Sequence, residues 1–427
     1  MVAARPTSTP TTTRQVNRVL MTYVAYQFLS NFGLGVFSLL FNLYLRKLGL
    51  REDFIGIYSA FSTLSWAAGA LIVGPLSRRT GARAILIGGV FLFAVFASLQ
   101  ILVTAPFALL GIAFCFGLAN AGMTVPSTPY VFTLIPPERR TQAQAFVFAS
   151  ISLSTSAGAF LGGALPGLLG GDTIMNFRIT MAVSIVLTMG SLVPLARLRT
   201  AREQPDAPNR SAQKPLTPGE RRASRRDNTA FALVGGCMAL GTGALLPFYN
   251  VYLVSLGASP GAVGALFAIS SLVGAVMSLG APLIARRLPP LQAVAVLRTI
   301  AVPLALVIGL GFSGAPFGAA FYAMRMIGIS LSWPIESSTI GNVIDPRNRV
   351  ALFGMRSAAW NAGMALSSWL AGSVIVHFGY APVHLFYIVA YGGAMLLFLS
   401  YWPRRVRVAQ TARQEAEAAE QSALRPA

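Results

Sequence analysis

Long apolar segments dominate this sequence and restrict it to one class of fold. Stretches near 20 residues with few charges recur along the chain, and about 20 residues are needed to cross the hydrocarbon core of a bilayer. Charged residues make up 11% of the chain, whereas soluble proteins average about 25%. A soluble protein with many buried helices would need polar helix faces, which these segments lack. The sequence therefore predicts an all-α integral membrane protein.

The apolar segments number about twelve at that length. Their predicted bounds are 17–45, 53–76, 84–104, 107–134, 142–169, 175–197, 229–254, 260–284, 291–312, 316–343, 351–377 and 383–402. A polar segment rich in Pro, Arg and Ser separates the sixth span from the seventh and is typical of a linker. We therefore predict an N-terminal tail (1–16), a six-helix bundle (17–197), a linker (198–228), a second six-helix bundle (229–402) and a C-terminal tail (403–427).

The two predicted bundles share a repeated segment. The stretch FNLYLRKLGLREDFIG, which begins at Phe41, matches YNVYLVSLGASPGAVG, which begins at Tyr249, at one constant offset. The matched residues are Asn42, Tyr44, Leu45, Leu48, Gly49 and Gly56 in the first copy and Asn250, Tyr252, Leu253, Leu256, Gly257 and Gly264 in the second. Many secondary transporters use two related halves to build a binding site that opens to either side. The repeat therefore predicts two pseudo-symmetric halves and a transport function.

The net charge of +20 has a topological explanation. Basic residues collect in alternate connections: Arg5, Arg14 and Arg18; Arg78, Arg79 and Arg83; Arg139 and Arg140; the run from Arg197 to Arg226; Arg286 and Arg287; Arg347 and Arg349; and Arg404, Arg405 and Arg407. The opposite connections carry few charges apart from Arg46, Lys47 and Arg51. This positive-inside pattern predicts a multi-pass protein of the inner membrane with both termini in the cytoplasm. No nucleic-acid partner is needed to explain the charge.

The loop after the second span resembles a signature of the major facilitator superfamily. It reads GPLSRRTGARA, in which Gly74, Leu76, Arg79, Gly81 and Arg83 match the family pattern, and Arg78 stands where the family has an aspartate. The second half keeps Arg286 and Arg287 at the corresponding loop. The resemblance implies the twelve-helix fold of that family and transport by alternating access. It also implies that this cytoplasmic loop helps to hold the two halves together in one state.

Glycines in the fifth span are similar to a glycine-rich motif of antiporters in that family. They are Gly158, Gly162, Gly163 and Gly167, with Gly163 at a position where proline is usual. The resemblance implies antiport. From the residues alone, small side chains allow helix backbones to approach closely in lipid, where the hydrophobic effect gives helices no reason to associate.

Few ionisable residues lie inside the predicted spans, and each is a functional candidate because a buried charge costs about 2.5–3.5 kcal/mol on insertion scales. Glu336 and Arg356 fall at similar depths in the neighbouring spans ten and eleven, so we expect them to pair. Two interpretations are open: a structural ion pair, or a switch in which protonation of Glu336 frees Arg356 and loosens a gate. Arg298, in span nine, is expected to be structural.

Arg325 lies near the middle of span ten, with no obvious carboxylate partner. A cation at that depth requires an anion or a carbonyl oxygen. Either it contacts the substrate, or it is a hydrogen-bonded structural residue.

Uncharged polar and aromatic residues complete the predicted binding site. The candidates are Tyr26, Gln27 and Asn31 in span one, Asn120 in span four, Tyr249 and Asn250 in span seven, Trp333 in span ten, and Trp360 and Asn361 in span eleven. Aromatic rings with a few amides suit an amphipathic or ring-bearing solute. His377 and His384, beside the last outer loop, are expected at the solvated surface.

These observations favour a secondary transporter that moves a small organic solute, with proton-coupled export of an amphipathic compound as the preferred hypothesis. Uptake or facilitated transport of an anionic metabolite through Arg325 is the alternative, and a non-transporting membrane sensor is a remote one. The sequence has no nucleotide-binding loop and no catalytic or metal-ligand cluster, so we expect no enzyme activity, cofactor or metal. The expected partners are the substrate, membrane lipid and protons, and the chain is expected to act as a monomer.

Overall fold

The computed structural model describes residues 13–135, 140–198, 217–278, 280, 284, 287–312, 314–344 and 349–423, and its elements there are all helical. In the first half these are α1 (Thr13–Lys47), α2 (Glu52–Thr80), α3 (Ala82–Leu102), α4 (Pro106–Thr124), α5 (Ser127–Leu134), α6 (Arg140–Leu168), α7 (Ile174–Gly190) and α8 (Leu192–Arg197). In the second half they are α9 (Pro218–Leu245), α10 (Tyr249–Ser255), α11 (Pro260–Ser278), α12 (Pro290–Thr299), α13 (Val302–Gly309), α14 (Ala315–Val343), α15 (Arg349–Phe378) and α16 (Ala381–Ala423).

These helices form the predicted spans. Ten segments of the described chain are long and apolar enough to cross a membrane, and α14 and α15, with 29 and 30 residues, lie at the two remaining predicted spans. Four spans consist of two consecutive helices: α4 with α5, α7 with α8, α9 with α10, and α12 with α13. Proline accounts for two of these breaks, because Pro126 precedes α5 and Pro247 lies in the 3-10 turn before α10. The predicted all-α membrane fold is confirmed.

The helix that contains the seventh span begins before the apolar residues of that span. Helix α9 starts at Pro218, within the segment predicted as linker. Thr217 caps it by accepting a hydrogen bond from the backbone N–H of Glu220, whose carboxylate accepts one from the Thr217 N–H. This reciprocal capping box stabilises a helix start among polar residues. The linker residues 199–216 lie outside the described part of the chain.

The described residues pack as two compact units. The first contains α1, residues 64–80 of α2, helices α3 to α8, and residues 260–268 of α11. The second contains the start of α2, helices α9 and α10, the rest of α11, and α12 to α16. The units thus differ from the predicted bundles in the first parts of α2 and α11, and the bundle boundaries stay a prediction.

The glycines of the repeated segment have the same roles in both copies. Gly49 and Gly257 have positive φ angles of 83° and 90°, a conformation that glycine adopts without strain, and they end α1 and α10. Gly56 packs against the carbonyl oxygen of Ser368 within the second unit, and Gly264 packs against Gly163 within the first. The repeat therefore encodes two turns and two close helix contacts.

Candidate functional site

Three ionised side chains meet inside the second unit. Arg298 of α12 donates a hydrogen bond to Glu336 of α14, with 2.7 Å between Nη2 and Oε2. Arg356 of α15 lies on the other carboxylate oxygen, with 3.0 Å between Nη2 and Oε1. The exposed fraction of each side chain is 5% or less. We call these residues the charged triad, and it links three helices through one carboxylate.

The expected contact between Glu336 and Arg356 is therefore present, but it is not a simple pair. Arg298 shares the carboxylate, so the triad carries a net charge of +1. The sequence analysis did not predict Arg298 as a partner of Glu336, because it gave Arg298 a structural role without naming a contact. Arg298 lies seven residues after the start of the predicted span 291–312, and Glu336 lies seven residues before the end of 316–343 on the same side of the membrane, so their equal depth was the signal that could have joined them.

Two aromatic rings enclose the guanidinium of Arg356. Its Cζ atom lies 4.6 Å from the ring centroid of Phe231 and 4.6 Å from that of Trp333. The negative faces of these rings attract the cation, an interaction worth about 2 kcal/mol where water is excluded. Trp333 is 46% exposed, whereas Arg356 behind it is buried. The surface at this point is aromatic, and the positive charge lies beneath it.

Gly235 of α9 provides the space that Arg356 occupies. A Cβ atom at Gly235 would lie 2.7 Å from Arg356 Cγ, whereas one at the neighbouring Gly236 would lie 3.7 Å from the nearest atoms of Ala359. Only the first distance forces a side chain to move, and Arg356 has little freedom between its two rings.

We expect Gly235→Ala to destabilise the protein by about 1–3 kcal/mol, the usual effect of overpacking. Gly236→Ala is the matched control, and there the better helix propensity of alanine should give a neutral or slightly stabilising result. Thermal unfolding of both variants in detergent measures the difference. Equal melting temperatures would show that Arg356 relaxes freely and is not held by the triad.

Arg325 lies in a second polar cluster of the same unit. Its Nη2 donates a hydrogen bond of 3.1 Å to Thr242 Oγ1, which lies 2.9 Å from the hydroxyl oxygen of Tyr391. Among the described residues no carboxylate forms an ion pair with Arg325, and its charge acts on the hydroxyls of Tyr387 and Tyr391. Arg325, which is 7% exposed, is thus supported by hydroxyl groups, and no carboxylate in the described part of the chain compensates its charge.

His384 contradicts its sequence prediction. It is fully buried rather than solvated, with ring centroids 5.2 Å from Tyr252 and 5.5 Å from Phe321. Its Nδ1 atom bonds the backbone oxygen of Tyr380 at 2.8 Å. Position beside a loop does not reveal which way a helical side chain points, and here it points into neighbouring rings. His377 is exposed, as expected.

The ten predicted binding residues divide by their exposure. Asn31, Asn120, Trp333, Trp360 and Asn361 are half-buried or exposed, and Tyr26, Gln27, Tyr249, Asn250 and Arg325 are buried. Several of the buried side chains bond their own unit: the Tyr249 hydroxyl donates to the Gly318 carbonyl, and Asn250 Oδ1 accepts from the Val251 N–H. Among the predicted binding residues of the second unit, Trp333, Trp360 and Asn361 are therefore the ones that a solute could reach.

In the loop after α2, the described residues make contacts within the first unit, and the implied role of this loop in holding the two halves together stays a prediction. Gly81 has a φ of 89°, so glycine is needed for the turn between α2 and α3. Arg83 donates a 2.7 Å hydrogen bond to the Ala196 carbonyl at the end of α8, which bears partial negative charge. Arg79 and Arg287 are exposed, and a Cβ at Gly74 would meet open space. Arg286 and the side chain of Arg78 lie outside the described residues.

Comparisons with known proteins agree with this architecture. A family model described as Major Facilitator Superfamily matches residues 24–324 and 232–426. A variant of the nucleoside transporter NupG is similar with a TM-score of 0.67 and 16% identity, over 90% of this chain and 99% of its own. No curated protein matches the sequence.

Two further solved structures are similar to the same extent. A bacterial homologue of the human lysosomal transporter Spinster has a TM-score of 0.66 at 14% identity, covering 93% of this chain and 97% of its own. A D-xylose-proton symporter has a TM-score of 0.67 at 14% identity, covering 89% and 96%. At these identities the likeness establishes the fold alone.

Proposed function

The chain belongs to the Major Facilitator Superfamily, and we propose that it exports a small amphipathic organic solute across the cytoplasmic membrane. As a member of that family it is a transporter that works by alternating access, and not an enzyme. The arginine distribution supports an orientation with both termini in the cytoplasm.

The exposed ring of Trp333 over Arg356 carries the proposal, together with Trp360 and Asn361, which follow Arg356 by about one turn on α15. Trp333 is 46% exposed on α14, and Trp360 and Asn361 are partly exposed on α15. Rings offer apolar contact to a flat solute, and the amide offers hydrogen bonds that orient it. The buried guanidinium of Arg356 adds positive potential beneath the Trp333 ring. Such a surface suits a ring-bearing amphipathic compound with a polar edge.

Glu336 is the candidate for proton coupling. Ionised, it attracts Arg298 and Arg356 and holds α12, α14 and α15 together. A proton on this carboxylate would remove the attraction and leave two cations that repel each other. The three helices would then separate more easily, which would couple proton uptake to a conformational change.

Flux measurements in reconstituted vesicles test the coupling. A neutral amphipathic fluorophore should leave the vesicles faster when a pH gradient is imposed, and Glu336→Gln should remove that dependence. Flux must be expressed per folded molecule, because the substitution also affects stability. Unchanged flux at every pH, in both the wild type and Glu336→Gln, would reject proton coupling at this residue.

Transport of an anionic metabolite is the second candidate, and Arg325 is the observation that favours it. Its charge is buried and has no carboxylate partner among the described residues, so an anion would be stabilised beside it. The same vesicles loaded with an aromatic carboxylate separate the two candidates. Carboxylate flux that is lost in Arg325→Gln, together with no fluorophore flux in the wild type, would favour the anion carrier.

A further inference from the structure

A basic cluster lies at the polar ends of α9 and α16, and its arginines are not part of the charged triad or of the predicted binding residues. Arg222, Arg225 and Arg226 are exposed on the first turns of α9, and Arg404 and Arg407 are exposed on α16. Positive-inside topology explains why arginines occur at this end of the spans, but it does not explain their arrangement on two packed helices.

A buried aspartate holds the two helices together at this level. Both carboxylate oxygens of Asp227 accept hydrogen bonds from Arg405 Nε, at 3.1 and 3.2 Å, and Oδ1 also accepts one from the Tyr401 hydroxyl at 2.6 Å. Phe231 and Trp402 pack edge to face with 5.7 Å between ring centroids. Asp227 forms its ion pair with Arg405, so its negative charge is already balanced and does not offset the charges of the exposed arginines around it. We call the contacts of Asp227 with Arg405 and Tyr401 the clasp, and they fix the positions of α9 and α16 relative to each other at the level of the exposed arginines.

The register of the clasp brings arginines of both helices to one side. Contacts advance along α9 as they go back along α16, from the pair Asp227–Arg405 to the pair Thr242–Tyr391, so the helices are antiparallel. In such a pair, the residues that directly precede the contact positions lie on the same side. These residues are Arg226 and Arg404. Arg222 lies one turn before Arg226 on the same helix face.

An exposed apolar strip continues from these arginines toward the middle of the spans. On α9, Leu233 is 54% exposed and lies two turns beyond Arg226. On α16, Leu396 and Leu397 are 73% and 42% exposed and lie about two turns before Arg404. By helical spacing the leucines share the faces of the arginines. The surface is therefore apolar along its length and cationic at its end.

We propose that this surface binds one anionic phospholipid, with its acyl chains along Leu233, Leu396 and Leu397 and its phosphodiester beside Arg226 and Arg404. Clustered arginines next to a membrane span attract anionic headgroups. A phosphate ester matches the forked donors of arginine. The apolar strip distinguishes a lipid from a free phosphate ion, which would use only the arginines.

Binding of labelled phosphatidylglycerol to the purified full-length protein in neutral detergent tests the proposal. We expect Arg226→Gln/Arg404→Gln to weaken binding about 30-fold, at about 1 kcal/mol for each arginine near the headgroup. Arg14→Gln/Arg197→Gln removes the same charge from exposed sites in the first unit and should leave binding within about twofold of wild type. Each single variant should lose about half of the effect on the free-energy scale.

Three results would overturn the proposal. Phosphatidylcholine could bind as tightly as phosphatidylglycerol, which would make the headgroup charge irrelevant. Millimolar inorganic phosphate could displace the labelled lipid, which would indicate a site for a free anion. The two double variants could weaken binding equally, which would indicate attraction by overall charge. Because the substituted arginines are exposed, size-exclusion profiles should match the wild type, and the single variants replace the pair if they do not.

Discussion

Replacing Glu336 by glutamine is expected to lower the free energy of unfolding by about 3–5 kcal/mol, the effect of leaving buried charges unpaired. The substitution preserves shape but leaves Arg298 and Arg356 facing each other with no anion between them, in a region where each side chain is at most 5% exposed. Thermal unfolding of the purified protein in detergent measures the loss. Asp172→Asn, at a half-buried position of a loop, is a control that should change little.

A second substitution tests whether charge balance is the cause. Glu336→Gln/Arg356→Gln returns the cluster to the net charge of +1 that the wild type has. It should therefore be more stable than the sum of the two single substitutions predicts, and the double-mutant cycle gives the coupling energy. Strict additivity would mean that the three side chains do not interact as a triad.

Replacing Gly158 by leucine is expected to prevent the first unit from packing, with a loss of at least about 3 kcal/mol. A Cβ at Gly158 would collide with the backbone carbonyl oxygen of Phe32 in α1, and Gly162 lies against Val36 one turn further on. Backbone atoms cannot move aside as a flexible side chain can, so the two helices would have to separate. The yield of monodisperse protein and its melting temperature report the effect.

Gly167 of the same helix is the matched control, because a Cβ there would meet open space. Gly167→Leu should therefore be tolerated, although both glycines belong to the same sequence motif. If the two leucine variants have equally lowered melting temperatures, the glycines are needed for insertion of the helix and not for the contact between α1 and α6.

Local sequence features predicted much of the fold, because they act within single segments. Apolar length identifies a span whatever lies beside it. Gly49 and Gly257 could be recognised as turns because a positive φ angle is a requirement of the backbone alone. The capping box at Thr217 could also have been read from its spacing, and it would have extended the seventh span into the predicted linker.

The candidate site was predicted less completely, because it depends on which way side chains point. Glu336 and Arg356 were expected to meet since their spans are consecutive in the chain. Arg298 was assigned no partner. Asp227 falls within the arginine-rich segment predicted as a linker, so its contact with Arg405 was not predicted. Both pairings join side chains across separate helices, and only packing decides such contacts.

The sequence alone determined that this chain is a repeated, twelve-span membrane protein, because lipid imposes length and polarity on each helix separately. The tertiary structure alone decided the partners of its buried charges. It assigned Glu336 to two arginines and Arg325 to a hydroxyl group, and it buried His384 among aromatic rings. These outcomes depend on the rotation of each helix about its axis and on its register with its neighbours. The apolar pattern of a span is compatible with many rotations and registers, and helix packing selects one of them.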